Sequence, residues 1–350
     1  MLPRRPSKTS TVGTGHRNGS PAGGAALARN LRKVDVVSAA RRFRRGWQRF
    51  PIHIVVFIGP AFLIYTLFMI YPIVNTVSVS LYKPIGTGVQ TTFAGIDNYI
   101  KLVSVRPWDV RFWGALQHNM VFFLVQFLVQ NPIGLLLAVL LTRRGLRLSG
   151  VYRTILYMPA MLSIVIAGFI WQLMLSPLWG IVKASLDALR LGAFFQPWLG
   201  LESSALIALS LISVWQFVGI PMMLYLTSLI SIPDDLIEAA RADGATAWTT
   251  FWRIQLPLIL PTVGIVAILT YTGSMNAFDL IFALQSPLAA PNYATDVLGT
   301  LFYRTYYGNM GVGADTSMGS TIAGMSFLIV LAGVLVYLVG WQRRTTVYEL

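Results

Sequence analysis

Residues 233–261 read PDDLIEAARADGATAWTTFWRIQLPLILP. The stretch is polar and charged, yet it lies between two long apolar runs. Pro233 has the locked φ that suits the first turn of a helix. Asp235 and Glu238 have the spacing of a capping box, and Asp234 adds negative charge at the positive helix end. Leu236, Ala239, Ala240 and Asp243 fall at helical spacing, and Gly244 is where a helix would stop in a left-handed conformation. Thr246 is placed to cap a second helix through Trp248, Phe251, Trp252 and Ile254. Pro257 and Pro261 then mark a joint with the next apolar run. Alanines at 239, 240, 242 and 245 remove bulk, so a second protein could approach closely. Two readings fit these residues: a docking surface, or an ordinary amphipathic turn between helices.

The rest of the chain sets that stretch in a membrane. Of 350 residues, 55% are hydrophobic and only 11% charged, against roughly 25% charged in ordinary soluble domains. Such a chain needs lipid as a solvent. Six apolar runs, at roughly 54–82, 119–142, 154–182, 203–232, 254–278 and 316–342, each meet the ~20 residues that span a bilayer as a helix. Backbone groups in lipid must be bonded internally, so an all-α membrane protein follows. The spans are expected at about 54–76, 119–142, 154–176, 204–230, 258–282 and 320–342, all within a transmembrane domain of residues 51–350.

Charge sets the orientation. Residues 1–50 carry twelve Lys/Arg and one acid, Asp35. This basic tail, with its many Gly, Ser, Thr and Pro, is expected to be disordered and cytoplasmic. Its Arg41-Arg42-Phe43-Arg44-Arg45 cluster suits lipid headgroups beside the first span; no folded basic module accompanies it, so nucleic acid is not expected as a partner. The tail does not look like a cleavable signal peptide. Arg143, Arg144, Arg147 and Arg153, then Arg241 and Arg253, then Arg343 and Arg344 all fall on the tail's side if the chain crosses six times. The positive-inside rule therefore places both termini and the 233–257 loop in the cytoplasm.

Polar groups inside the apolar runs mark candidates for a solute path: Gln130, Gln172, Gln216, Asn276 and Asp279. An intramembrane carboxylate is costly and normally faces a cavity. Asp279 reads either as a path or gate residue or as a solvated residue at the membrane edge. The amides of Gln126, Gln130, Asn131, Gln172 and Gln216 serve equally as glue between helices. Trp171, Trp215, Phe217, Tyr225 and Tyr271 could stack on a sugar or simply pack. With no cysteine and three scattered histidines, His16, His53 and His118, no metal site or thiolate chemistry is expected. No convergent acid, base or nucleophile set appears, so an enzyme is not expected.

The spacing in the opening stretch resembles the signature of binding-protein-dependent ABC importer permeases: glutamate-alanine-alanine, then aspartate-glycine-alanine, then isoleucine-x-leucine-proline. Here those positions are Glu238, Ala239, Ala240, Asp243, Gly244, Ala245, Ile254, Leu256 and Pro257. FAGIDNYIKL at 93–102, FWGALQHNMVF at 112–122 and YRTILYMPAMLS at 152–163 resemble the carbohydrate-type branch. The likeness covers roughly residues 50–343 and fits the first of two non-identical permease subunits. Two departures stand out: Gln285-Ser286-Pro287 where a Gly-Gly-Pro turn is usual, and Asn119-Met120 where Asn-Thr is usual.

The resemblance implies a bacterial-type inner-membrane permease with six transmembrane helices. Its implied partners are a second permease subunit in a heterodimer, two cytoplasmic ATPase subunits and an extracytoplasmic solute-binding protein. The signature loop would couple to one ATPase, and the solute would be a sugar or a related polar molecule. No cofactor is expected in this chain. It lacks G-x-x-x-x-G-K-[ST], so ATP would be held by a partner subunit. The competing function is an ion-coupled secondary transporter of small polar solutes.

Overall fold

The computed structural model describes residues 52–84, 91–143, 147–308 and 313–342. The basic tail, Arg144, Arg343 and Arg344 lie outside the described residues. The chain falls into two compact units, Met1–Tyr71 and Pro72–Leu350. The described part of the first is helical: Ile52–Tyr65, with Pro60 inside it, and a π-turn at Thr66–Ile70.

Among the described residues, four helices are long and apolar enough to cross a membrane: Val56–Ser80, Trp108–Leu141, Ala247–Met275 and Thr316–Trp341. Two bent pairs qualify if each counts as one span. Ser149–Met161 and Ile164–Met174 meet at 94°, and Ala205–Phe217 and Gly219–Ile230 meet at 43°. The architecture is therefore mostly helical, with four to six candidate spans.

Several boundaries differ from the sequence expectation. The single span expected at 154–176 is broken, because Pro159 ends the first helix in a 3-10 turn and Leu162 is extended. The span expected at 258–282 begins earlier, at Ala247, and stops at Met275; a separate helix, Asp279–Gln285, follows. Pro257 and Pro261 do not interrupt it. A π-turn at Phe251–Gln255 precedes Pro257, and its wider hydrogen-bond spacing absorbs the missing N–H. The helix expected from 119 already starts at Trp108. The fold is also not purely α, since Tyr82–Pro84 pairs antiparallel with Thr91–Phe93.

That small hairpin has a clear anchor. Asn98 is buried, and its Nδ2 donates to the carbonyls of Ser80 and Tyr82, each at 2.8 Å. The Ser80 hydroxyl also meets the Tyr99 hydroxyl at 2.9 Å. Carbonyls left open at the end of the Tyr71–Ser80 helix are thus satisfied by the FAGIDNY segment.

In lipid, helices cohere by close packing rather than by water exclusion. Gly134 shows how: a Cβ there would come within 3.1 Å of Met222 N and Pro221 Cγ. Its absence lets Trp108–Leu141 lie tightly on Gly219–Ile230, and Ala138, Met222 and Leu226 fill the seam. A second core joins Phe122, Leu209, Ile212 and Ile281. A third joins Phe112 and Ala115 to Leu298, Leu301, Met318 and Ile322.

Candidate functional site

Two sites lie at opposite ends of one helix, Ala247–Met275. The first is the loop before it. Helix Asp234–Ala242 starts one residue ahead of the expected capping box, with Pro233 at the N-cap. Asp235 therefore sits in the first turn, where its charge still favours the positive helix end. The helix ends in a Schellman arrangement: Ala245 N donates to Ala240 O at 2.9 Å, and Gly244 N donates to Arg241 O at 3.0 Å. Gly244 has φ +80°, the left-handed geometry that this motif requires. Thr246 then caps the next helix, its hydroxyl accepting from Thr249 N at 3.2 Å.

The result is a two-sided loop. Ala240 is buried, and Ile237 and Leu256 pack against the core beneath. Glu238, Ala239, Asp243, Gly244 and Pro257 are exposed, while Ala245 and Ile254 are half-buried. Trp248 is 71% exposed and touches Trp252 edge-on, with ring centroids 5.5 Å apart. Small, acidic and aromatic groups thus share one accessible surface.

The second site is a cavity of about 350 Å³ where the Ala247–Met275 helix ends. Of the expected path residues, Gln130, Asn276 and Asp279 line it; Gln172 and Gln216 are not among its lining residues. Gln172 is exposed on the Ile164–Met174 helix. Gln216 is fully buried, and its Nε2 donates to Leu162 O at 3.2 Å. That bond fastens the 94° bend to the neighbouring helix, so Gln216 acts as glue.

Gln126 lines the cavity and is glue as well. Its Nε2 donates to Ser213 Oγ and its Oε1 accepts from Ser274 Oγ, both at 2.7 Å. One amide therefore ties three helices together. Thr270 Oγ1 donates to Asn131 Oδ1 at 3.1 Å, next to the Asn131-Pro132 step. Gln130 differs: it is 6% exposed, and its Oε1 has no partner among the described residues.

The aromatic candidates divide in the same way. Phe217 lines the cavity. Trp171 and Trp215 stack edge-on at 5.4 Å. Tyr225 is buried, and Tyr271 donates to Ile329 O at 2.7 Å.

Below the cavity, the helix break is held by groups that sequence reading had not linked. Asn119 is fully buried. Its Nδ2 donates to Ser274 O at 2.8 Å, and its Oδ1 accepts from Leu298 N at 2.9 Å. It reinforces a carbonyl at the end of one helix and satisfies an open amide at the start of another. Farther on, Arg304 and Asp296 form a buried bidentate pair, at 3.0 Å and 2.5 Å. Thr300 Oγ1 donates to Asp296 Oδ1 at 2.7 Å, and the Arg304 guanidinium lies 4.7 Å from the Tyr293 ring centroid. Ser213, Thr270 and Ser274 were also missed. A signal existed in the helical spacing of Asn119, Gln126 and Gln130 and of Thr270 and Ser274, which puts each set on one face.

Comparisons with known proteins agree with this architecture. The family described as "Binding-protein-dependent transport system inner membrane component" matches residues 130–346. The trehalose/maltose transport system permease protein MalF of Thermococcus litoralis is 32% identical, over 81% of this chain and 92% of its own length. The lactose transport system permease protein LacF of Rhizobium radiobacter is 30% identical, over 71% of this chain and 80% of its own. Among solved structures, a chain of a bacterial ABC transporter involved in import of the acidic polysaccharide alginate superposes with a TM-score of 0.71 at 21% identity, covering 88% of this chain and 100% of that one. The fold is that of ABC importer permeases, and the chain belongs to the family of inner-membrane permease components of binding-protein-dependent transport systems.

Proposed function

We propose that this chain is one of two different permease subunits of an ATP-driven sugar importer, with the cavity at Gln130, Asn276 and Asp279 on its solute path. Each bent pair is one span, giving six crossings of a bacterial-type inner membrane with both termini in the cytoplasm. Glu238, Ala239, Ala240, Asp243, Gly244, Ala245, Ile254, Leu256 and Pro257 form the loop that docks on an ATPase subunit, with Leu256 packed against the core. ATP is held by two such ATPases, and an extracytoplasmic binding protein delivers the solute. The sugar assignment rests on relatives named for lactose and for trehalose and maltose.

One observation carries this reading: a single 29-residue helix, Ala247–Met275, runs from the exposed loop to the cavity. At 1.5 Å per residue it is about 44 Å long. Motion imposed on the loop by nucleotide-driven closure reaches the cavity as rigid-body displacement of one element.

The chain has no natural cysteine, so Ala239→Cys places a unique thiol in this subunit. In the assembled transporter it should crosslink to an ATPase subunit, with a yield that changes on adding ATP. Assembled complexes that never form the crosslink would overturn the coupling role. The path is tested at Gly273, a cavity residue where an added Cβ meets nothing within 4 Å. Gly273→Trp should fill the cavity and abolish uptake while the complex still assembles; normal uptake would remove the cavity from the path.

A further inference from the structure

The cavity also carries a charge signature. Among the described residues, Asp279 is the one ionisable group lining it, and no Lys, Arg or His does so. Asp279 is exposed, at the first position of the Asp279–Gln285 helix. Arg304, a buried cation of the neighbouring Leu298–Tyr307 helix, is held in its bidentate pair with Asp296 and so is not available to balance Asp279. The remaining polar lining is neutral: the amides of Gln126, Gln130 and Asn276 and the hydroxyls of Ser213 and Thr270. Most of these hydrogen-bonding groups are already engaged within the protein. The Asp279 carboxylate is an accessible acceptor of this lining, and it calls for a donor.

We infer that this cavity selects uncharged, hydroxyl-rich solutes and excludes anionic ones, and that Asp279 is the residue that sets the exclusion; this rests on the cavity being the solute path. A neutral sugar brings hydroxyl donors to the Asp279 carboxylate. A uronate or a sugar phosphate would bring a second negative charge beside the first. A bound solute displaces water beside the exposed Asp279, and the apolar lining of Phe122, Leu224, Val266 and Leu269 lowers the local dielectric further, so like charges then repel more strongly than in bulk water. The distinction matters because the superposing alginate importer is described as handling an acidic polysaccharide. The two chains share a fold, and their charge preference is predicted to differ.

The test uses the assembled transporter in detergent and a matched pair of probes: maltotriose, and the same trisaccharide with one ring oxidised to a glucuronate. Saturation-transfer NMR at millimolar sugar reads binding to the complex without a binding protein. The wild type should favour the neutral sugar by about tenfold or more, as expected for like charges in a partly desolvated site. Asp279→Asn, nearly isosteric, should bring the two within about threefold, and Asp279→Lys should reverse the order. Equal binding of both sugars to the wild type, or an unchanged preference in Asp279→Asn, overturns the selectivity and leaves the path intact. Binding of neither sugar, or a signal that survives Gly273→Trp, instead sinks the path itself.

Discussion

The two loops at the ends of the Ala247–Met275 helix are built on opposite plans. The 234–246 loop keeps its polar and small side chains on the surface and touches the core through a thin apolar edge, Ile237 and Ala240. The 285–304 loop turns its charge inward. Asp296, Arg304 and Thr300 are buried and bonded to one another, and His118 Nδ1 lies 2.7 Å from Asp296 O. Four of its non-glycine residues, Ser286, Ala289, Asn292 and Tyr293, have positive φ. Such conformations persist only where surrounding contacts over-determine them. One loop is thus stapled to the body of the protein, while the other is left exposed. Sequence reading singled out the first loop by its helix signals and signature, but the buried charge of the second left no mark in local spacing.

The contrast can be broken by measuring stability and transport together. Arg304→Leu should have the largest effect, because it leaves Asp296 buried without its cation. The expected cost is about 3–5 kcal/mol, seen as loss of monodisperse protein and a sharply lowered thermal midpoint in detergent. A stable, monodisperse variant would show that the 285–304 loop is not a rigid staple. Asn119→Ala comes next, at about 1–3 kcal/mol, since it orphans the Leu298 amide and removes a bond to the Ser274 carbonyl at a helix break. A thermal midpoint equal to that of the wild type would mean that water replaces both bonds at no cost. The smallest change in stability, within about 0.5 kcal/mol, is expected from Ala239→Trp on the exposed loop. Transport should nevertheless be lost, because the added bulk blocks close approach. Wild-type uptake in that variant would remove the distinction between the loops.

Much of the fold was legible in the residues because membrane burial leaves a coarse mark. Long apolar runs announced the helices, and Gly244 and Thr246 announced a helix end and a helix start that the structure places at those residues. The breaks were harder to read. Leu162 and Asn276 sit in sequences as apolar or as helix-compatible as their surroundings, so hydropathy carried the spans straight through them. Pro159 marks the first break locally, and tertiary bonds hold both: Gln216 donates to the carbonyl of Leu162, and Asn119 donates to the carbonyl of Ser274. The cavity was half legible for the same reason. Gln130, Asn276 and Asp279 are conspicuous in an apolar run, whereas Ser213 and Thr270 are small enough to pass as ordinary membrane residues. Which amides face the cavity and which serve as fasteners depends on neighbours from distant parts of the chain.

The Trp108–Leu141 helix has 34 residues, or about 51 Å at 1.5 Å per residue. The hydrocarbon layer is about 30 Å thick, and even a lean of about 40° leaves a rise of roughly 39 Å. Part of this rod must therefore stand clear of the bilayer. Near its Trp108 end, Phe112 and Ala115 are sheathed by Leu298, Leu301 and Met318. That end is a pillar clad in protein rather than in lipid.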